Sequence, residues 1–294
     1  MEIPSTSAEW RDRETLSSRI AAARLALTDA GFTTEDASLD AEVLARDVLG
    51  WDRARLLAHG RDPAPPDFVV RYQSAIARRL RREPVAMITG HREFWDLDFL
   101  VTPATLVPRP ETELIVEEAL RILSPDVHAT VLDIGTGTGC LAVALAHERR
   151  WLRVVATDVS HAALLVAMTN ARKHDVARRI RFIRTDLAAG LSLRAELIVS
   201  NPPYVPDQTA VVLPPDVVRY EPATALFGGT DGLAVVRRLL ASAPEHLAPG
   251  GRFIVEFGFG QEDDVREVAE NTGWQIDRVL HDLQGIARTI VLGR

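Results

Sequence analysis

Cysteine is nearly absent: Cys140 is the single one in 294 residues. One thiol cannot close an intrachain disulfide or build a multi-cysteine zinc site, and it fits a reducing, cytoplasmic setting. Lysine is as scarce, with Lys173 alone and arginine at the other basic positions. No uninterrupted apolar run approaches ~20 residues, so no membrane span is expected. Met1 to Ala8 lack a basic segment followed by an apolar core, so no secretory signal is expected. A basic surplus is missing too: the net charge of −7 weighs against stable binding of nucleic acid. His91, His161, His174, His246 and His281 show no metal-ligand spacing, so no metal is expected. Neither a Ser–His–Asp grouping with supporting context, an internal repeat nor a low-complexity tract is present. What remains is a globular composition, 47% hydrophobic and 26% charged, in a length that suits one large or two ordinary domains. A monomer is expected.

From about Thr15 to Arg82 the pattern is helical. Leu16, Ile20, Ala23 and Leu27 share one face, which ends near Gly31. Ala41, Leu44, Ala45 and Val48 make a second face ending at Gly50, and Phe68, Tyr72, Ile76 and Leu80 a third after Pro63, Pro65 and Pro66. Arg78, Arg79, Arg81 and Arg82 close this last helix and are expected on a solvated face complementing the helix dipole. Glu93 to Val101 alternates with strand-forming aromatics and predicts a hairpin between two domains. Pro110 suits a first helical turn, and Glu111 and Glu113 suit its positive end. From Thr130 strands and helices alternate to the C-terminus, with an antiparallel pair last. This predicts an α/β fold with a doubly wound, Rossmann-like sheet. The expected division is a helical substrate-recognition domain over 1–86, a hairpin linker over 87–106 and a catalytic domain over 107–294.

Gly135-Thr136-Gly137-Thr138-Gly139 follows a strand and opens a helix, so a ligand can approach the backbone closely. Asp158 closes the next strand, where an acid can accept ribose hydroxyls. The spacing departs from a dinucleotide fingerprint, whose last glycine or alanine would fall on Cys140. It resembles instead the first motif of S-adenosylmethionine-dependent methyltransferases. Asp133 before the loop and Asp186 after the third strand can both face the cofactor, Asp186 being as well suited to a helix N-cap. Thr136 and Thr138 read as solvent or turn residues, and Cys140 as a small packed one.

Ser200-Asn201-Pro202-Pro203-Tyr204 follows the apolar run Glu196 to Val199. Two prolines stop that strand and stiffen the turn. The turn resembles the signature of methyltransferases acting on planar exocyclic or amide nitrogens. Such a nitrogen has a delocalised lone pair and two N–H groups. The Asn201 oxygen and the Pro202 carbonyl can accept one N–H each, turning the lone pair toward the methyl group, and Tyr204 can stack on the planar group. Adenine in DNA, guanine in RNA and glutamine in protein all remain open as acceptors at this point.

Three further stretches narrow the choice: Gly90-His91-Arg92-Glu93-Phe94-Trp95, Val107-Pro108-Arg109-Pro110-Glu111-Thr112-Glu113, and Glu221 to Gly229 with Asp231-Gly232-Leu233. With them the chain, from about Glu83 to its C-terminus, is similar to the release factor glutamine methyltransferases, the PrmC/HemK family. The resemblance implies methyl transfer from S-adenosyl-L-methionine, leaving S-adenosyl-L-homocysteine, to N5 of the glutamine in the Gly-Gly-Gln loop of class I peptide chain release factors. It implies cofactor binding by Gly135, Thr136, Gly137, Thr138, Gly139, Asp158, Asp186, Leu187 and Asn201. The substrate amide would meet Asn201, Pro202, Pro203 and Tyr204. Two positions depart from the family pattern: Leu187 stands where an aromatic is frequent, and Met87 where a tyrosine is common.

Overall fold

The computed structural model describes residues 15–211 and 213–294, so the Met1–Ala8 stretch lies outside the described residues. The chain divides into two compact units at Thr89/Gly90.

The first unit is helical: α1 Leu16–Asp29, α2 Thr34–Leu49, α3 Arg53–His59, α4 Pro66–Leu80 and α5 Val85–Thr89. The first four starts have a physical cause. The Thr15, Thr33 and Asp52 side chains accept the N–H groups of Ser18, Asp36 and Arg55 at 3.1, 3.0 and 2.7 Å. Pro66 begins α4, where its missing N–H is harmless. Leu27, Leu44 and Phe68 are fully buried between the faces the periodicity marked, whereas Leu80 at the last position of α4 is 38% exposed. Of the four arginines expected on a solvated face, Arg81 is exposed, but Arg79 and Arg82 are not. Arg79 is 7% exposed and donates to Asp40 of α2 at 2.6 Å. Arg82 lies 3.8 Å over the Phe32 ring. They are fastenings of the bundle. Met87 is buried in α5.

The second unit opens with a hairpin, β1 His91–Phe94 and β2 Leu97–Leu100. Its turn is Trp95-Asp96, both at positive φ (53° and 54°), the twist a tight hairpin demands, here met without glycine. Glu113 accepts the Trp95 N–H at 2.9 Å and steadies that turn, rather than serving only the helix dipole. Phe94 and Phe99 bury themselves in this unit's core.

The main sheet has the order β5-β4-β3-β6-β7-β9-β8. Its strands are β3 Thr130–Ile134, β4 Arg153–Asp158, β5 Ile180–Arg184, β6 Ala195–Ser200, β7 Leu247–Glu256, β8 Gln275–His281 and β9 Ala287–Gly293. The set β3 to β7 is parallel, and β9 runs antiparallel to β7 and β8. The accompanying helices are α6 Glu113–Ile122, α7 Cys140–Glu148, α8 His161–Lys173, α9 Pro215–Tyr220, α10 Ala223–Leu226, α11 Ala234–Ser242 and α12 Glu262–Asn271. Alternate residues supply the two layers. Val131, Leu197 and Ile254 point into the core shared with α6 and α7, and Leu132, Ile198 and Phe253 into the core shared with α11 and α12. This is the Rossmann-like, doubly wound sheet the alternation predicts. The chain winds outward from β3 to β5, then returns to place β6 on the other side of β3. The carboxyl ends of β3 and β6 therefore flank a topological switch point, the place where ligands enter such sheets. Among the described residues no helix is long and apolar enough to cross a membrane.

Candidate active site

A cavity of about 410 Å³ opens at that switch point. Gly135 and Gly137 shape one wall, and with Gly139 behind them they take φ values of 77°, 54° and 81° that side chains rarely adopt. A Cβ at Gly135 or Gly137 would meet no atom within 4 Å, so these positions leave a cradle open to a ligand. One at Gly139 would lie 3.0 Å from the Ala167 Cβ of α8. The loop is tied down on its protein side. The Gly135 and Thr136 N–H groups both donate to Thr157 O at 2.9 Å. Thr136 and Thr138 line the cavity but are only 4% and 2% exposed, not solvent residues. The Thr136 hydroxyl donates to Asp133 at 2.6 Å. Asp133 itself is fully buried and does not line the cavity, contrary to the expectation that it could face the cofactor. Burial pushes its carboxyl up to about 7 against the opposing Thr136 bond.

Asp158 lies where the sequence sets it, at the end of β4 and on the cavity wall. Its oxygens accept the Gly137 N–H at 2.9 Å and the Ser160 N–H at 2.8 Å, so it holds the loop as well as facing the space. Asp186 and Leu187 line the cavity too. Asp186 caps no α-helix; it opens a turn and accepts Arg238 Nη2 at 2.6 Å. Cys140 lines the cavity at the start of α7, and burial pushes its thiol up to about 12, so it is an un-ionised packed group as expected.

The second turn leaves β6 beside β3, where Asp133 pairs with Val199. The Ser200 hydroxyl donates to Ile134 O at 2.7 Å, joining the two strand ends. Asn201, Pro202 and Pro203 line the cavity. Asn201 Nδ2 donates to Thr112 Oγ1 at 2.9 Å, which leaves Oδ1 as its available acceptor. Tyr204, like Gly139, is a predicted residue that does not line the cavity, and its hydroxyl donates to Glu256 at 3.3 Å. Burial raises the Tyr204 hydroxyl well above the usual tyrosine range. The glycines downstream explain how this turn is held. A Cβ at Gly228 would lie 2.5 Å from Pro203 O, and one at Gly232 2.2 Å from Tyr204 O. Backbone packs on backbone there, and only glycine permits it.

Several residues of the site carry no sequence signal of that role. Arg109 lines the cavity and donates to the buried Glu221 at 2.6 Å. Burial raises the Glu221 carboxyl, with Arg109 opposing. Asn170, fully buried on α8, clamps Leu100 of β2 at 2.8 and 3.1 Å and Thr138 O of the loop at 2.9 Å. Its polar amide in the middle of an apolar helix face is the one hint the sequence offers. Among the described residues no group of three or more His, Cys, Asp or Glu could hold a metal.

Comparison with known proteins follows this geometry. Residues 20–90 match the family described as the PrmC N-terminal domain, and residues 112–213 the one described as the methyltransferase small domain. A release factor glutamine methyltransferase of Cereibacter sphaeroides is 43% identical over 256 residues, 87% of this chain and 91% of the relative. One of Koribacter versatilis is 40% identical over 260 residues, 88% of this chain and 91% of the relative. Among solved structures, a methyltransferase from Pyrococcus furiosus superposes with a TM-score of 0.52 at 19% identity, covering 75% of this chain and 98% of that one. The hMettl16 catalytic domain in complex with the MAT2A 3'UTR hairpin 6 gives 0.57 at 15%, covering 78% and 82%. At such identities the two structures speak for the fold alone.

Proposed function

The chain belongs to the release factor glutamine methyltransferases, and from that premise we propose that its cavity joins S-adenosyl-L-methionine to the side-chain amide of the glutamine in the Gly-Gly-Gln loop of class I peptide chain release factors. The observation that carries this reading is the meeting of two turns on adjacent strands. An open glycine loop with Asp158 faces an Asn201 amide whose nitrogen is already engaged by Thr112.

The cofactor, when bound, supplies the electrophilic methyl group. The Gly135–Gly139 loop would receive it, Asp158 would accept its ribose hydroxyls, and Asp186 and Leu187 would border its base. The amide nitrogen is a weak nucleophile, so orientation carries the catalysis, worth up to ~7–11 kcal/mol in favourable cases. Asn201 Oδ1 and the Pro202 carbonyl each accept one N–H of the acceptor, which turns its lone pair out of conjugation. A carboxylate acceptor brings no hydrogens to donate and would not be held. Pro203 stiffens the turn, and Tyr204 braces it from outside the cavity wall. We assign recognition of the release factor to segment 1–86, with a linker over 87–106 that contains the β1–β2 hairpin leading to catalytic residues within 107–294.

The test offers labelled S-adenosylmethionine with a release factor, with its Gln-substituted version and with DNA. Label on the first alone is the expected result. Label on adenine in DNA, with the release factor unmodified, would overturn the reading in favour of a nucleic-acid N-methyltransferase.

A further inference from the structure

The cavity that would receive the cofactor has no aromatic wall. Among the described residues that line it there is no phenylalanine, tyrosine, tryptophan or histidine. A purine base is a flat π system, and a flat partner on its face is what usually holds it. The end of the cavity assigned to the base is bounded by Asp186 and Leu187 after β5 and by one face of α11. On that face Val235, Arg238 and Leu239 recur at helical spacing. Leu239 belongs to the core shared with α11 and α12, and Leu187 and Val235 pack against it, so these three supply a fixed aliphatic surface.

Arg238 differs from them. Its Nη2 donates to Asp186 Oδ2 at 2.6 Å, and its other guanidinium N–H groups make no hydrogen bond among the described residues. The two side chains are 55% and 57% exposed, and an ion pair so exposed contributes little to folding. It does anchor a planar cation on the cavity wall. The other guanidinium of the cavity, Arg109, is held by Glu221 instead.

We propose that Arg238 is the base-stacking residue of the cofactor site: its guanidinium, anchored by Asp186, covers a face of the adenine of S-adenosylmethionine in place of an aromatic ring. The inference rests on the functional reading above, in which Asp186 and Leu187 border the base. Arginine suits the position and lysine does not. A guanidinium is planar, delocalised and weakly hydrated, so it can lay its face on a π ring while its edge keeps a bond to a carboxylate. An ammonium is a compact, strongly hydrated point charge with no face to offer. Asp186 offsets the charge of Arg238, which keeps this end of the cavity from repelling a cofactor whose sulfonium is itself positive.

The test is calorimetry on the full chain, with S-adenosylhomocysteine and with adenosine, which isolates the base end. Arg238→Ala should weaken both about tenfold or more, the scale of one lost base stack. Arg238→Lys keeps a charge within reach of Asp186 but has no plane, and should lose nearly as much. Adding Leu187→Phe to Arg238→Ala supplies a ring from the neighbouring wall and should recover most of the loss. Phe there takes the same backbone φ of 53° that Leu already adopts. Turnover at saturating S-adenosylmethionine should change less than about threefold in all three, because the lost contact holds the cofactor equally before and during transfer. Wild-type affinity in Arg238→Ala or in Arg238→Lys, or a ring that recovers nothing, overturns the inference. Arg238→Lys decides alone if Arg238→Ala folds poorly. Those results leave the functional reading intact as long as the wild type methylates a release factor. A wild type that binds neither S-adenosylhomocysteine nor adenosine overturns that reading and the inference with it.

Discussion

The turn after β3 and the turn after β6 leave neighbouring strands, yet an added side-chain atom would meet opposite surroundings in them. At Gly135 and Gly137 a Cβ meets nothing within 4 Å; at Gly232, packed against the second turn, it would lie 2.2 Å from Tyr204 O and 2.6 Å from Gln261 Nε2. The first turn is held from below by Asp158 and Thr157 and left bare above. The second is enclosed: Gln261 donates to Tyr204 O at 2.9 Å, and Val205 and Gly228 exchange bonds with neighbouring backbone. The difference follows from what each must do. A cofactor loop has to admit a ligand, whereas an orienting turn has to keep two acceptors fixed when the acceptor arrives.

Substitutions can break this comparison. The largest effect is expected from Gly232→Val, which combines the backbone clash with a φ of 79°. Overpacking and left-handed strain together should lower stability by about 3 kcal/mol or more and remove transfer. Thermal unfolding and turnover check it. Gly137→Ala is its counterpart and should cost only the ~1–2 kcal/mol of left-handed strain, because no protein atom stands in the way. Gly137→Val should weaken binding further by taking volume from the cavity, not by striking the protein. If Gly137→Ala proved the more destabilising of the alanine variants at the two sites, the contrast would be wrong. Asp158→Ala should weaken S-adenosylmethionine by roughly 1–3 kcal/mol in calorimetry, through lost polar contacts and a loosened Gly137 N–H. Unchanged affinity would remove Asp158 from the site. Tyr204→Phe should have the smallest effect, because it deletes one 3.3 Å bond to Glu256 and keeps the ring. A loss below about 1 kcal/mol in unfolding and a few-fold drop in turnover are expected.

The residues legible in the sequence are those whose role is set by the local chain. Glycines at positive φ after a strand, an acid at the next strand end and two prolines stopping a third announce themselves by spacing. The β/α alternation gave the layers in the same way, and the final antiparallel pair followed. What stayed hidden is contributed from far along the chain. Arg238 reaches Asp186 across 52 residues and Glu221 reaches Arg109 across 112. Thr112, which sets the orientation of Asn201, lies 89 residues away from it. The Trp95-Asp96 turn escaped its usual signature because Glu113 supplies what glycine would have made easy. Asp133 shows the limit of position alone: it precedes the loop in sequence, but the strand's alternation turns its side chain under the loop, away from the ligand space.

The most direct test of the division between the two turns is one preparation of Asn201→Ala measured twice, by calorimetry with S-adenosylmethionine and by single-turnover methylation of a release factor followed by mass spectrometry of its Gly-Gly-Gln peptide. The cofactor affinity should stay within about threefold of wild type while the single methyl on the glutamine, present with wild type, falls about a hundredfold or more, because the lost contact orients the nucleophile. Affinity and transfer falling together by the same factor, or transfer surviving in the variant, would contradict it.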